Sequence, residues 1–273
     1  MPIHSVNGVN IFYEISGSGA LPVVMVHGSW SSHHGWDQVA PRFSESFRVM
    51  RYDRRGHSQS DRPPGQDSVL EDVADLAALI EHFELGPAWI VSNSFGTSIT
   101  LRLVGDRPDL FRGLIGHEPP VLSVLGGDPQ FESLLEDEER KFRLVAERIA
   151  AGDHEGGAEQ FVETVALGPG SWSNLPPEMR ETLTHNAPTF LNEVRDPDAL
   201  VFDPEWVSDF DKPALFTRGT ESPPMFTSVV EKVAAAFPDV ELATFQGAGH
   251  IPHVTHPDVY AEKVSHFIIK HEA

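Results

Sequence analysis

Ser94 lies in Ser92-Asn93-Ser94-Phe95-Gly96, directly after the apolar run of Ala88–Val91 and directly before a stretch of helical character. At a strand-turn-helix junction a serine is projected above the sheet edge, and the N–H groups that follow point toward whatever sits over it. The usual pattern is G-x-S-x-G. Ser92 replaces the first glycine with another small residue, so strand and helix can still approach closely. Serine at its free pKa is a poor nucleophile and needs a neighbouring base. His250, in the Gly-rich "QGAGHIPH" after the last apolar run, is of the type that takes a proton near neutral pH and returns it to a leaving group. Such a histidine wants a carboxylate to fix its tautomer and stabilise its imidazolium. Glu118 in "LIGHEPPV" and Glu221 in "RGTESPP" are the candidates.

Elements that could hold these residues are legible in the hydrophobic pattern. The first 120 residues alternate extended apolar runs with amphipathic stretches. The runs are "VNGVNIFYEI" with its Asn-Gly turn, "PVVMVHG", "FRVMRYD", "PAWIVSNS" and "FRGLIGHE". Helices are expected over Trp36–Phe43, Val69–Phe83 and Phe95–Val104; in the second, Val69, Val73, Leu76, Ile80 and Phe83 recur at helical spacing. Short β-branched runs separated by helices imply a mainly parallel sheet covered on both faces. From about Val121 to Phe210 the pattern is helical with Pro/Gly breaks and holds no convincing strand. Alternation resumes with "KPALFTRG", a helix near Ser228–Phe237, "VELATFQG" and a final helix near His256–Lys270. The economical division is an α/β core over 1–120 and 211–273 with a helical insertion at 121–210. Two independent domains fit less well, because the last two strands would lack a sheet to complete.

Composition removes several classes. With 20 Lys+Arg against 41 Asp+Glu, the formal net charge of −21 opposes a nucleic-acid partner. The absence of cysteine excludes disulfides, thiolate metal sites and a Cys nucleophile. No run approaches a membrane span, and the N-terminus lacks the pattern of a signal peptide, so a cytoplasmic location is expected. Neither a cofactor nor a metal is called for. Self-association into a homo-oligomer is compatible with the sequence.

The motifs come in a telling order. "VVMVHGSW" (Val23–Trp30), "YDRRGHSQS" (Tyr52–Ser60), the Ser94 turn and the His250 loop resemble, along essentially the whole chain, the α/β-hydrolase fold with a helical cap. That resemblance implies a mainly parallel eight-stranded sheet with helices on both faces. It also implies an oxyanion hole made by the backbone N–H of Phe95 with that of Gly28 or Ser29. In this family a usual place for the acid is the turn after "LFTRG", where Ser222 occupies the expected position and Glu221 falls one residue early. Glu118 instead ends the strand after the Ser94 helix; adjacent strands are about 5 Å apart, which would bring it within reach of a histidine over the serine. Its His-Glu-x-Pro setting is similar to that of fungal zearalenone lactonases. Glu118 is therefore the expected acid, relocated one strand earlier; Glu221 is the alternative, and loss of the acid is a third.

The expected activity is cofactor-independent hydrolysis of a carboxylic ester or lactone through an acyl-enzyme on Ser94. The same residues would also serve C–C bond hydrolysis or a haloperoxidase-like reaction, and a non-catalytic binding protein on this scaffold is the alternative of another class. A serine nucleophile argues against epoxide and alkyl-halide chemistry. Trp30, with one or two of Phe131, Phe142, Phe161, Trp172, Phe190 and Trp206, is expected to wall an apolar pocket, most of that set being packing. His33 and His34 are expected in a loop around Trp36, and His253 and His256 at surface or loop positions. Asp53 and Arg54 are expected to brace loops beneath the site, and His117 to point away from Glu118.

Overall fold

Two residues dictate the first hairpin. Asn7 and Gly8 take φ of 47° and 82°, the left-handed pair a two-residue turn needs. They join β1 (Ile3–Val6) to β2 (Val9–Ser16), with Val6 opposite Val9. The computed structural model describes residues 2–65 and 68–272. The sheet is completed by β3 (Pro22–Val26), β4 (Arg48–Tyr52), β5 (Ala88–Asn93), β6 (Phe111–His117), β7 (Ala214–Gly219) and β8 (Val240–Phe245). These form one eight-stranded sheet in the order β1-β2-β4-β3-β5-β6-β7-β8. β2 is antiparallel to β1 and β4, and the other pairings are parallel.

Between and after the strands come α1 (Ala40–Ser44), α2 (Val69–His82) and α3 (Phe95–Asp106). The stretch between β6 and β7 carries α4 (Glu132–Ala150), α5 (His154–Phe161), α6 (Ser171–Asn174), α7 (Pro177–Asn186) and α8 (Phe190–Arg195). The chain closes with α9 (Pro224–Ala234), α10 (Pro252–Thr255) and α11 (Pro257–Glu272). The single helix expected over Trp36–Phe43 is instead a 3₁₀ turn, His33–Trp36, followed by α1. Pro41 explains the split: it lacks an N–H and suits only the first turn of a helix. In the same way Pro224 starts α9 four residues earlier than the apolar spacing suggests.

Strand β3 shows how the sheet is held. Val24 and Val26 join one apolar cluster with residues of α2, α3 and α9, whereas Val23 and Met25 join another with Trp36, Phe43, Tyr260 and Phe267. A central parallel strand is buried on both faces, hence its unbroken apolar run; each such side chain contributes about 1.5–3 kcal/mol. Among the described residues, 121–210 holds no strand. Its two ends feed the first cluster through Leu125, Phe202 and Phe210, while its middle forms a third cluster into which Trp30 is inserted. The insertion is thus anchored to the core at both ends and in the middle. Among the described residues no helix is long and apolar enough to cross a membrane.

Candidate active site

Ser94 sits between β5 and α3 with φ 54° and ψ −127°, a left-handed conformation that costs on the order of 1–3 kcal/mol for a non-glycine residue and persists only where its surroundings enforce it. Here its N–H donates to the His117 carbonyl at 2.8 Å, and its own carbonyl accepts from Thr97 N–H at 2.7 Å. Gly96 permits the tight crossing: a methyl group there would lie 2.5 Å from the Val26 carbonyl oxygen. Ser92, standing where a glycine is usual, is fully buried and directs its hydroxyl to the Ile115 carbonyl at 3.2 Å. A small polar residue is tolerated because it finds that partner.

Parallel pairing of β5 with β6 brings the second residue close. Asn93 is paired with His117, the last residue of β6, and Glu118 follows with φ 44°. Its carboxylate is fully buried; Oε2 lies 2.7 Å from His250 Nδ1 and Oε1 accepts from Gly219 N–H at 2.7 Å. His117, expected to point away, instead places Nε2 at 3.4 Å from the same Oε2, with Nδ1 2.8 Å from Thr217 Oγ1. The alternation that would separate neighbours applies only inside a strand, and the positive φ of Glu118 ends it. Burial works against ionisation of Glu118, yet the charge and hydrogen bonds of His117 and His250 hold it well below the usual carboxylate range. Burial also holds His250 below its ordinary value, with Glu118 pulling the other way.

The His250 loop is fixed from two sides. Asn93 Nδ2 donates to the His250 carbonyl at 3.0 Å, and the Phe226 ring stacks on the imidazole at 4.1 Å and 16°. Phe226 lies in the first turn of α9, so "SPP" starts the helix that delivers this platform. Glu221, the alternative acid, is exposed, its backbone N–H tied to the Ala248 carbonyl and its carboxylate near Thr220.

Ser94 and His250 both line two small cavities of about 40 and 50 Å³. Among the described residues no hydrogen bond joins their side chains, so a proton transfer between them would need the two to close together, as catalytic pairs often do only with substrate bound. Gly28 and Ser29 line the second cavity, and Ser29 and Phe95 the first. A methyl group on Gly28 would meet Ser94 Cβ at 2.9 Å, which measures how closely this loop passes the serine. Trp30, expected in the pocket wall, lies one layer behind it, stacked on Phe161 at 4.6 Å; Phe142, Phe161 and Phe190 form the wall itself. The side-chain lining of the first cavity is apolar apart from Ser29, Ser94, His250 and Glu193.

Glu193, on α8, drew no attention in the sequence, where it is one acid among 41 Asp+Glu. It accepts from Ser29 Oγ at 2.6 Å and faces Arg54 at 3.4 Å. Burial pushes its carboxyl up to about 7, against the pull of Arg54 and Ser29. Arg54 in turn binds Asp72 at 3.0 Å and lies over the Phe95 ring at 4.8 Å. Asp53 accepts from His33 and from Gln59 N–H, bracing the loops as expected. His34 is exposed, but His33 is buried against Asp53. His253 is a correction: it is 4 % exposed, in α10 against Trp36 at 4.5 Å, and burial lowers its pKa to about 3. Pro252, also buried, opens that short helix.

His117, Glu118 and His250 also offer ligand atoms within 4.8 Å of one another. Two ligands of one zinc ion, each about 2.0–2.1 Å from it, would sit roughly 3.3 Å apart. The 2.7 Å between His250 Nδ1 and Glu118 is instead the spacing of a donor facing its acceptor.

Comparison with known proteins agrees with this architecture. The family model for the alpha/beta hydrolase fold matches residues 22–257. A zearalenone hydrolase from Bionectria ochroleuca is 26 % identical over 280 residues, 98 % of this chain and 97 % of that protein. An uncharacterized hydrolase, YraK, from Bacillus subtilis is 31 % identical over 142 residues, covering 50 % of this chain and only 52 % of that protein. Among solved structures, the enol-lactonase from Burkholderia xenovorans superposes with a TM-score of 0.82 at 18 % identity, over 98 % of this chain and 100 % of that one.

Proposed function

The chain belongs to the α/β-hydrolase fold family, and we propose that within it the protein is a serine hydrolase of carboxylic esters or lactones that works through an acyl-enzyme. The observation that carries this reading is the buried 2.7 Å contact between Glu118 and His250, facing a cavity shared with a strained Ser94. The wholly matched zearalenone hydrolase and the structurally similar enol-lactonase support the substrate class.

Ser94 Oγ attacks the carbonyl carbon while His250 Nε2 takes its proton. Glu118 keeps the other proton on Nδ1, leaving Nε2 free to accept, and stabilises the imidazolium that forms. Negative charge on the carbonyl oxygen is met by the N–H of Phe95 and that of Gly28 or Ser29, donors held in place before the reaction begins. The tetrahedral species collapses with transfer of the Nε2 proton to the leaving alkoxide, which departs as an alcohol; in a lactone it stays tethered as a hydroxyl. Water then attacks the acyl-serine, gives its proton to His250, and the acid is released as Ser94 recovers its own. In this reading residues 121–210 are a cap that walls the acyl or lactone body with Phe142, Phe161 and Phe190. No cofactor takes part, and the partner is a small ester or lactone.

The test is active-site labelling with a fluorophosphonate alongside turnover of a short p-nitrophenyl ester. Ser94 is expected to be labelled in folded protein and Ser94→Ala to lose turnover. An unlabelled Ser94 together with an active Ser94→Ala overturns the proposal.

A further inference from the structure

In the first cavity, among the described residues, the side chains of Glu193 and of its partner Ser29 have no part in this chemistry. The position of Glu193 is unusual in what it joins. Oε2 accepts from Ser29 Oγ at 2.6 Å, and Oε1 lies 3.4 Å from the Arg54 guanidinium. Arg54 lies over the ring of Phe95 at 4.8 Å, and its backbone N–H contacts His27 Nε2 at 3.0 Å, in the strand end that leads to Gly28. One carboxyl of the helical insertion therefore reaches both segments whose backbone N–H groups face the oxyanion, one directly and one through Arg54.

We propose that Glu193 is a positioning residue that locks the insertion onto the Gly28–Ser29 loop and onto Arg54 beneath Phe95, so that the two oxyanion donors are aligned only while this contact is made. The proposal rests on the serine-hydrolase reading above. The ionised carboxylate accepts from Ser29 and pairs with Arg54 together; protonated, it loses the charge that faces Arg54. Burial places this ionisation at about 7. The other groups around it are accounted for. Arg54 and Asp72 pair with each other, His57 is buried and held well below its ordinary value, and Asp196 accepts backbone N–H groups. Glu139, Arg143, Glu147 and Arg195 line a neighbouring surface groove that Glu193 also borders, and are exposed to solvent. Burial holds His250 below its ordinary value, the opposite direction from its effect on Glu193.

Stopped-flow or steady-state ester hydrolysis measured from pH 5 to 9 on the full chain tests this. Wild type is expected to gain kcat with rising pH through about 7, beyond the limb of His250. Glu193→Gln, which keeps an acceptor for Ser29 but cannot ionise, is expected to lose that upper limb and retain the lower one. Ser29→Ala and Glu193→Ala are each expected to lower kcat about tenfold with KM within threefold, and the double variant to be no worse than Glu193→Ala, which already removes the contact with Ser29. A Glu193→Gln profile that keeps the limb near 7 overturns the proposal, as do additive losses in the double variant. Should Glu193→Ala not fold, the Glu193→Gln profile decides alone. Turnover that persists in Ser94→Ala overturns the serine reading and this proposal with it; Ser94-dependent turnover with an unchanged Glu193→Gln profile overturns this proposal only.

Discussion

Replacing Glu118 with glutamine changes the charge opposite His250 and almost nothing of the shape. The carboxylate is fully buried and 2.7 Å from His250 Nδ1, so the centres of opposite charge are about 4 Å apart once the imidazolium forms. At an effective dielectric of about 20 that attraction is about 4 kcal/mol, and each 1.36 kcal/mol is tenfold in rate, so its loss is worth about 10³ in kcat. A second effect adds to it. The glutamine amide can keep its oxygen on the Gly219 N–H and turn its NH₂ toward Nδ1, which drives the imidazole proton to Nε2 and blocks acceptance from Ser94. The expected loss is therefore about 10³–10⁴ in kcat, with little change in KM. Steady-state hydrolysis of a p-nitrophenyl ester by Glu118→Gln and Glu221→Gln reads this directly, with thermal melts to show both remain folded. Glu221 is exposed, so its variant is expected within twofold of wild type. A Glu118→Gln enzyme within tenfold of wild type, or a Glu221→Gln enzyme that collapses, refutes the reasoning.

Two further outcomes follow from the same geometry. Gly28→Ala puts a methyl 2.9 Å from Ser94 Cβ and 3.1 Å from the Asn93 carbonyl oxygen, neither of which can yield without moving the Ser94 turn. Labelling by a fluorophosphonate is expected to slow by about 10²-fold, as a displacement near 1 Å costs, and an unchanged labelling rate contradicts the close approach. His253 has a folded pKa of about 3, below its unfolded value near 6.5, because it is buried. Between those values the unfolded chain binds the extra proton, so stability is full above pH 6.5 and falls as pH drops toward 3, by up to about 1.4 kcal/mol per unit for this group. Thermal melts from pH 7 to 4 are expected to show a shallower decline in His253→Gln; an identical slope rules the contribution out.

Local chemistry is what the sequence carries in full. The Asn7-Gly8 turn, the buried run of β3, the stripe of α2 and the Ser94 turn depend on neighbours a few residues apart, and each was readable as such. Alternation of strands and helices gave a mainly parallel sheet, and the order of motifs, through its resemblance to the α/β-hydrolase family, implied which one. Ser94, His250 and Glu118 could be singled out because each follows an apolar strand run, in motifs whose order resembles that of the α/β-hydrolase family. Errors arose where a boundary depended on one proline, as at Pro41 and Pro224, or where alternation was carried one residue past a strand, as at His117. Contacts between distant segments were decided only by tertiary structure. Parallel pairing of β5, β6 and β7 sets Glu118 between His117 and Gly219, α9 lays Phe226 on His250, and α8 brings Glu193 to Ser29 across 164 residues of chain. No periodicity encodes such meetings, because side chains that touch across a fold leave no spacing in the sequence. "RGTESPP" marks the division: its residues show that an acid is not where one is usual, and the packed chain supplies the purpose of the prolines, which begin the helix that carries the stacking ring.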